Sequence, residues 1–199
     1  MIDQGLIIFA KSPELGRTKT RLIAALGEQG AMDAHCELVV ATLHRISHIA
    51  NVATQLWVTQ DSRPAREWAS EFGLPLSIQW GIDLGERMQN AIADSLAGGL
   101  RRIVLVGTDC PSIDDVYVQQ ALTELGRSDV VIGPAVDGGY GLIGMNERQP
   151  ALFADVEWGS DRVLQQTLDA CEQAGLTSTL LPEIWDVDRP ADWRRYLAE

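Results

Sequence analysis

The chain has 199 residues, 46% hydrophobic and 22% charged, with a formal net charge of −12 at pH 7. That composition predicts one globular domain over 1–199 with a real core, and it excludes global disorder. The acidity excludes a nucleic-acid-binding surface, which needs a basic footprint, and no apolar run is long enough to span a bilayer.

Gly5–Ala10 is a continuous apolar run and reads as a first strand, too short for the core of a signal peptide. It feeds Lys11-Ser12-Pro13-Glu14-Leu15-Gly16-Arg17-Thr18-Lys19-Thr20-Arg21, a loop in which four cations face one acid. A glycine-bearing basic loop after a first parallel strand suits phosphate: backbone N–H groups and a helix N-terminus supply partial charge, Lys and Arg full charge. The loop matches neither the Walker A pattern nor G-x-G-x-x-G. A solvated basic turn is the alternative, and the concentration of cations in an acidic chain favours the anion site.

Met32, Val39, Leu43 and Ile46 form an apolar stripe on a helix from about Gln29 to Ile49. His44 and His48 are four apart on it, but without H-E-x-x-H or a third ligand they read as surface histidines. Val52–Val58 is a second strand and Ser62–Phe72 a helix with Pro64 near its start. Leu76–Trp80 is a third strand. The loop Gly81–Met88 opens a helix through Ile92 and Leu96 that ends at Gly98-Gly99, with Arg87 in its first turn. The helix dipole disfavours a cation there, which points weakly to an anionic partner.

Ile103-Val104-Leu105-Val106 reads as a strand buried on both faces at the centre of a parallel sheet. It stops at Gly107, Asp109 follows at its lip, and Pro111 prevents continuation. Ligands of open α/β sheets bind outside the carboxyl ends of the strands, so Asp109 is either a functional carboxylate or a cap. Ser112 and Asp115 read as a capping-box-like start for a helix to Leu125, and Asp129–Gly133 as a fifth strand. In Pro134–Gly144, Asp137-Gly138 fits a hairpin turn, and two adjacent glycines also let backbone approach a ligand. Ser160 reads as the cap of a helix through Leu164, Leu168 and Cys171, Thr177–Leu181 as a last strand, and Pro190 as the start of a short terminal helix. Cys36, Cys110 and Cys171 are odd in number, widely spaced and without C-x-x-C. They predict reduced thiols in a cytoplasmic protein rather than disulfides or a zinc site, with Cys110 a packing residue.

About seven strands alternate with six helices, which predicts a three-layer α/β/α domain. Its twisted sheet is mostly parallel, with one antiparallel member near residue 140. The set Phe9–Pro13, Gly16–Leu22, Asp83–Met88, Gly107–Pro111, and Pro134 with Asp137–Tyr140 and Ile143-Gly144 resembles a bacterial family of radical-SAM/selenodomain-associated transferases. These are candidate glycosyltransferases with the nucleotide-diphospho-sugar transferase (GT-A) fold. Thr18 departs from the small apolar residue usual in that family, a change expected to matter little. The family is similar to the guanylyltransferases for 2-phospho-L-lactate and for molybdenum cofactor, although this chain lacks their G-G-x-G-T-R loop.

The resemblance implies that Asp109 binds Mg²⁺ or Mn²⁺, with Asp188 as second ligand and Asp186 after it. Asp137 joins Asp109 as a catalytic candidate. Nucleotide contacts are expected at Lys11, Gly16, Arg17, Lys19, Arg21, Arg87, Gly138, Gly139 and Tyr140. The expected activity is glycosyl transfer from a nucleotide sugar to a small-molecule acceptor. Nucleotidyl transfer from an NTP is the alternative, and nucleotide binding without turnover a third reading. A haloacid dehalogenase-type phosphohydrolase is rejected, because Asp186-Val187-Asp188 stands near the C-terminus rather than on the first strand.

Overall fold

Two strands at the middle of the sheet are buried on both faces, and this accounts for their continuous apolar sequences. In β1 (Gln4–Ala10), Leu6, Ile8 and Ala10 join one hydrophobic cluster, and Ile7 and Phe9 join another on the opposite face. β4 (Arg102–Gly107) divides the same way, Val104 and Val106 against Ile103 and Leu105. The computed structural model, which describes residues 2–199, builds a seven-stranded sheet around this pair.

Taken with β2 (Val52–Val58), β3 (Leu76–Ile78), β5 (Val130–Pro134), β6 (Tyr140–Met145) and β7 (Ser178–Leu180), the strand order is β3-β2-β1-β4-β6-β5-β7. β6 runs antiparallel to both β4 and β5, and the other pairings are parallel. The expected mostly parallel sheet with one antiparallel member is therefore observed. α1 (Ile23–Ile46), α2 (Arg63–Glu71) and α4 (Asp115–Glu124) cover one face, and α3 (Leu84–Ala97) and α5 (Val163–Gln173) the other. A third small cluster joins Leu22, Ala34 and Leu38 to Val187 and to Trp193 of α6 (Pro190–Tyr196).

Several local readings are corrected. α1 begins at Ile23 rather than near Gln29, with a non-helical break at Gly27 (φ 71°), and ends at Ile46. Val39, Leu43 and Ile46 are buried as expected, whereas Met32 is only half-buried and Ala31, Ala34 and Leu38 extend the buried stripe. Asp114, not Ser112 with Asp115, caps α4: its carboxylate accepts from Tyr117 N–H at 2.8 Å. α5 starts at Val163, and the Ser160 hydroxyl accepts from Arg162 N–H in the turn ahead of it. At α4 a carboxylate two positions beyond Ser112 had the geometry to reach a free N–H, whereas α1 and α5 have no side-chain cap. His44 and His48 are exposed, and Cys36, Cys110 and Cys171 are free thiols.

Candidate functional site

The strand order reverses between β1 and β4, and a cleft of about 360 Å³ opens at their carboxyl ends. This is the topological switch point at which open α/β sheets bind ligands. Its lining includes Lys11 after β1, Thr59 after β2, Gln79 after β3, Asp109 after β4, Asp137 and Gly139 from the β5–β6 hairpin, and Asp186.

Each motif supplies the cleft by a distinct local device. In Asp83–Arg87, the Asp83 carboxylate caps α3 by accepting from Glu86 N–H at 2.8 Å, and Glu86 reaches back to Ile82 N–H at 2.9 Å. These two bonds, a variant of the capping box that reaches one residue further back, fix the entry of α3. A Cβ on Gly85 would lie 2.7 Å from the Trp158 ring, so glycine there admits the indole. Arg87 lines the cleft while its Nε donates to the Gly81 carbonyl at 3.2 Å.

In the hairpin, Asp137 accepts from Gly139 N–H at 2.9 Å, and the two glycines separate in role. Gly138 has φ 87°, and a Cβ there would collide with the Asp161 carbonyl oxygen. Its own carbonyl accepts from Leu164 N–H at 2.9 Å. Gly138 is thus held by the protein's own packing rather than kept clear for a ligand, whereas Gly139 lines the cleft. Behind the lip, Cys110 is buried, and burial pushes its thiol well above the usual range, so it stays protonated. Its Sγ fills the space left by Gly141.

The basic loop is more constrained than a phosphate cradle of free cations. Lys19, in a left-handed conformation (φ 49°), has a side chain only 7% exposed. Its Nζ lies 2.8 Å from Asp109 Oδ1 and donates to the Val187 carbonyl at 2.6 Å, and Val187 N–H donates to the Asp109 carbonyl at 2.8 Å. One ammonium therefore ties the basic loop, the β4 lip and the C-terminal segment together. Arg21 is paired with Asp188, and Arg17 with Glu14. The N–H groups of Arg17 and Thr18 are taken up by the Glu14 carbonyl, so they are not open to phosphate, and Gly16 (φ 73°) serves this turn without lining the cleft. Thr18, expected to matter little, is buried and exchanges hydrogen bonds with Glu14 that close the same turn. Lys11 and Arg87 have no carboxylate partner among the described residues, and both also border a second cleft with Ser12, Arg17 and Gln60.

The acids are likewise reordered. Asp186, with Asp109 and Asp137, lines the cleft, and Asp188 does not. The Asp188 carboxylate is paired with Arg21 instead. Burial, and then repulsion from Asp137 and Asp188, pushes the Asp186 carboxyl up to about 6. Among the described residues no three His, Cys, Asp or Glu side chains are grouped to hold a metal ion.

Three contributors were not singled out from sequence. His35 of α1 is buried against the cleft and donates from Nε2 to the Lys11 carbonyl at 2.9 Å. Burial lowers its pKa, so the ring is neutral and orients the end of β1. Gln79 donates to the carbonyls of Ala10 and Trp57, both at 3.0 Å, bracing the same strand end. Trp158 stacks on Phe153 and meets Tyr140 edge-on, forming an aromatic wall. Tyr140 joins that wall through its ring, while its hydroxyl is buried in the protein. A lone His, Gln or Trp carries no motif, so only contacts between distant segments disclose these three.

The model of a bacterial family described as "Uncharacterized protein conserved in bacteria (DUF2064)" matches residues 42–160, more than half of the chain. The chain belongs to the DUF2064 family. The matched span carries Asp83–Arg87, Asp109 and Asp137–Tyr140 of the cleft, and the basic loop and Asp186 lie outside it. None of the curated proteins matches this DUF2064 member.

Among solved structures it is similar to a candidate nucleotide-diphospho-sugar transferase from Desulfovibrio desulfuricans G20. Identity is 32% over 95% of this chain and 84% of that one, with a TM-score of 0.87. A 4-diphosphocytidyl-2C-methyl-D-erythritol synthase from Anaerococcus prevotii is 11% identical over 98% and 96% of the two chains (TM-score 0.65). CMP:2-keto-3-deoxy-manno-octonic acid synthetase, solved with CTP, is 12% identical over 98% and 97% (TM-score 0.59). The DUF2064 chain thus has the nucleotide-diphospho-sugar transferase fold.

Proposed function

We propose that the chain is a transferase using a nucleotide donor, and that its reaction is glycosyl transfer from a nucleotide sugar to an acceptor hydroxyl. The observation carrying this reading is the polarity of the cleft at the switch point. Lys11 and Arg87, without carboxylate partners among the described residues, stand where the cleft adjoins the second one, and Asp109, Asp137 and Asp186 line it away from that border. The name borne by the Desulfovibrio protein, at 32% identity, favours the same donor class.

Lys11 and Arg87 would receive the donor diphosphate by charge-assisted hydrogen bonds. His35 and Gln79 keep the β1 lip in place while they do so. The acid flank fits a divalent cation. Asp186 sits where neighbouring negative charge and burial make its own charge costly, and a dication would relieve that cost. Mg²⁺ commonly takes only one or two protein carboxylates and completes its shell with phosphate and water, so no three-residue cluster is required. Asp109 and Asp186 would hold such an ion, which when bound would neutralise charge on the diphosphate. In transfer, the acceptor oxygen bonds to the anomeric carbon and the carbon–diphosphate bond breaks. The nucleoside diphosphate leaves with the electron pair, and the hydroxyl proton passes to the Asp137 carboxylate.

Nucleotidyl transfer is the second reading, favoured by the fold shared with the two cytidylyl-transferring proteins. A thermal-shift screen of NTPs and sugar nucleotides with Mg²⁺ or Mn²⁺ tests the donor class. A ligand at a hundred times its Kd adds about 2.7 kcal/mol of stability. Release of nucleoside diphosphate with a trapped acceptor supports glycosyl transfer, pyrophosphate release supports nucleotidyl transfer, and binding without product supports a binding module. Stabilisation by no nucleotide would refute all three.

A further inference from the structure

The far end of the cleft has a character that a nucleotide and its metal do not use. Tyr140 and Trp158 form its wall, centroids 6.4 Å apart and edge-on, with Leu84 and Met88 of α3 beside them. The wall is braced from behind, because Phe153 stacks on Trp158 and Gly85 leaves room for the indole. Leu84 is 45% exposed while lining the cleft. The charges of the cleft are distributed unevenly. Lys11 and Arg87, unpaired among the described residues, lie at the edge shared with the second cleft. The hairpin side carries Asp109, Asp137 and Asp186, and the cations beside them, Lys19 and Arg21, are already committed, Lys19 to Asp109 and Val187 and Arg21 to Asp188.

We infer that this aromatic end is an acceptor subsite selecting an uncharged alcohol that carries an aryl or alkyl group. The inference rests on the nucleotide-using reading above and narrows its acceptor. A phosphorylated or carboxylated acceptor would bring negative charge against Asp137, in a cleft whose dication and unpaired cations, Lys11 and Arg87, are already engaged by the donor diphosphate. An uncharged aryl or alkyl alcohol meets no such repulsion. It buries its apolar part against Trp158 and Leu84 and leaves its hydroxyl toward Asp137.

A matched probe pair, 2-naphthol and 2-naphthyl phosphate, tests this by titration calorimetry on the whole chain. Saturation-transfer NMR on the naphthyl protons reports the same contact. 2-Naphthol is expected to bind at least tenfold more tightly than its phosphate ester. Trp158→Ala is expected to weaken naphthol at least tenfold while nucleotide affinity with Mg²⁺ stays within twofold. Leu84→Ser, a change at a partly exposed position, keeps the test alive where Trp158→Ala fails to fold, and should weaken naphthol about threefold or more. Equal or tighter binding of the ester, or naphthol affinity unchanged in both variants, would overturn the subsite. Naphthol binding as expected in a protein that binds no nucleotide would leave the apolar subsite standing and overturn its assignment to a transferase acceptor. Nucleotide binding without naphthol binding would overturn this inference alone.

Discussion

Asp186→Asn separates the demands of function from those of stability in one residue. Burial and the neighbouring charges of Asp137 and Asp188 move this carboxyl from 3.8 to about 6. A displacement of that size corresponds to about 3 kcal/mol at about 1.36 kcal/mol per pH unit. The side chain is half-buried, and the water that reaches it screens the penalty, leaving about 1 kcal/mol. The sign follows from proton linkage. Because the folded-state pKa is raised, the folded protein holds the proton more tightly than the unfolded chain. The associated stability is fully present below pH 3.8 and is lost as pH rises through about 6. Asparagine, neutral throughout, removes that loss. Ligand-free Asp186→Asn, scanned by calorimetry in a chelator from pH 4 to 8, should gain stability relative to wild type as pH rises and level off above about pH 7. A gain of about 1 kcal/mol corresponds to roughly 2–4 °C in Tm for a chain of this size. The same variant should lose most metal-dependent nucleotide binding. A difference in Tm that does not change with pH, or a lower Tm than wild type at pH 7.5, would refute the reasoning.

Asp109→Asn should reduce metal-dependent turnover by at least about 10²-fold, the scale for losing an electrostatic stabiliser. It should also cost about 1–2 kcal/mol of stability, because Lys19, with a side chain 7% exposed, is left facing a neutral amide; a double-mutant cycle with Lys19→Met measures that coupling. Lys11→Ala and Arg87→Ala should each weaken nucleotide binding by about 1.5–3 kcal/mol, roughly ten- to a hundred-fold in Kd, whereas Arg17→Ala, exposed and paired with Glu14, should change it little. Equal effects of all three in titration calorimetry would count against the assignment of the free cations. Gly138→Ala should destabilise by about 1–3 kcal/mol through its positive φ and the Asp161 carbonyl, and Gly139→Ala by less, as thermal melts would show.

What the sequence determined by itself is whatever depends on neighbours in the chain. Leu6–Ala10 and Ile103–Val106 are unbroken apolar runs because both faces of a central parallel strand are covered, so their place in the sheet is legible from composition. Asp109 follows a strand end, and strand ends at a switch point are where ligands bind, so its position was legible as well. The state of the charges was not. Arg21 meets Asp188 across 167 residues and Lys19 meets the Val187 carbonyl across 168, so a loop that reads locally as four spare cations has three of them paired and leaves Lys11 for the cleft. The same long-range packing turns Asp188 away to Arg21 and leaves Asp186 lining the cleft, since buried Val187 fixes that segment against α1 and the β4 lip. His35 of α1, Gln79 after β3 and Trp158 in the turn before α5 lie far apart in the chain and belong to one cleft only because the sheet order reverses beside β1. Periodicity records which faces are buried, whereas the partner of a charge or a ring is chosen by the whole fold.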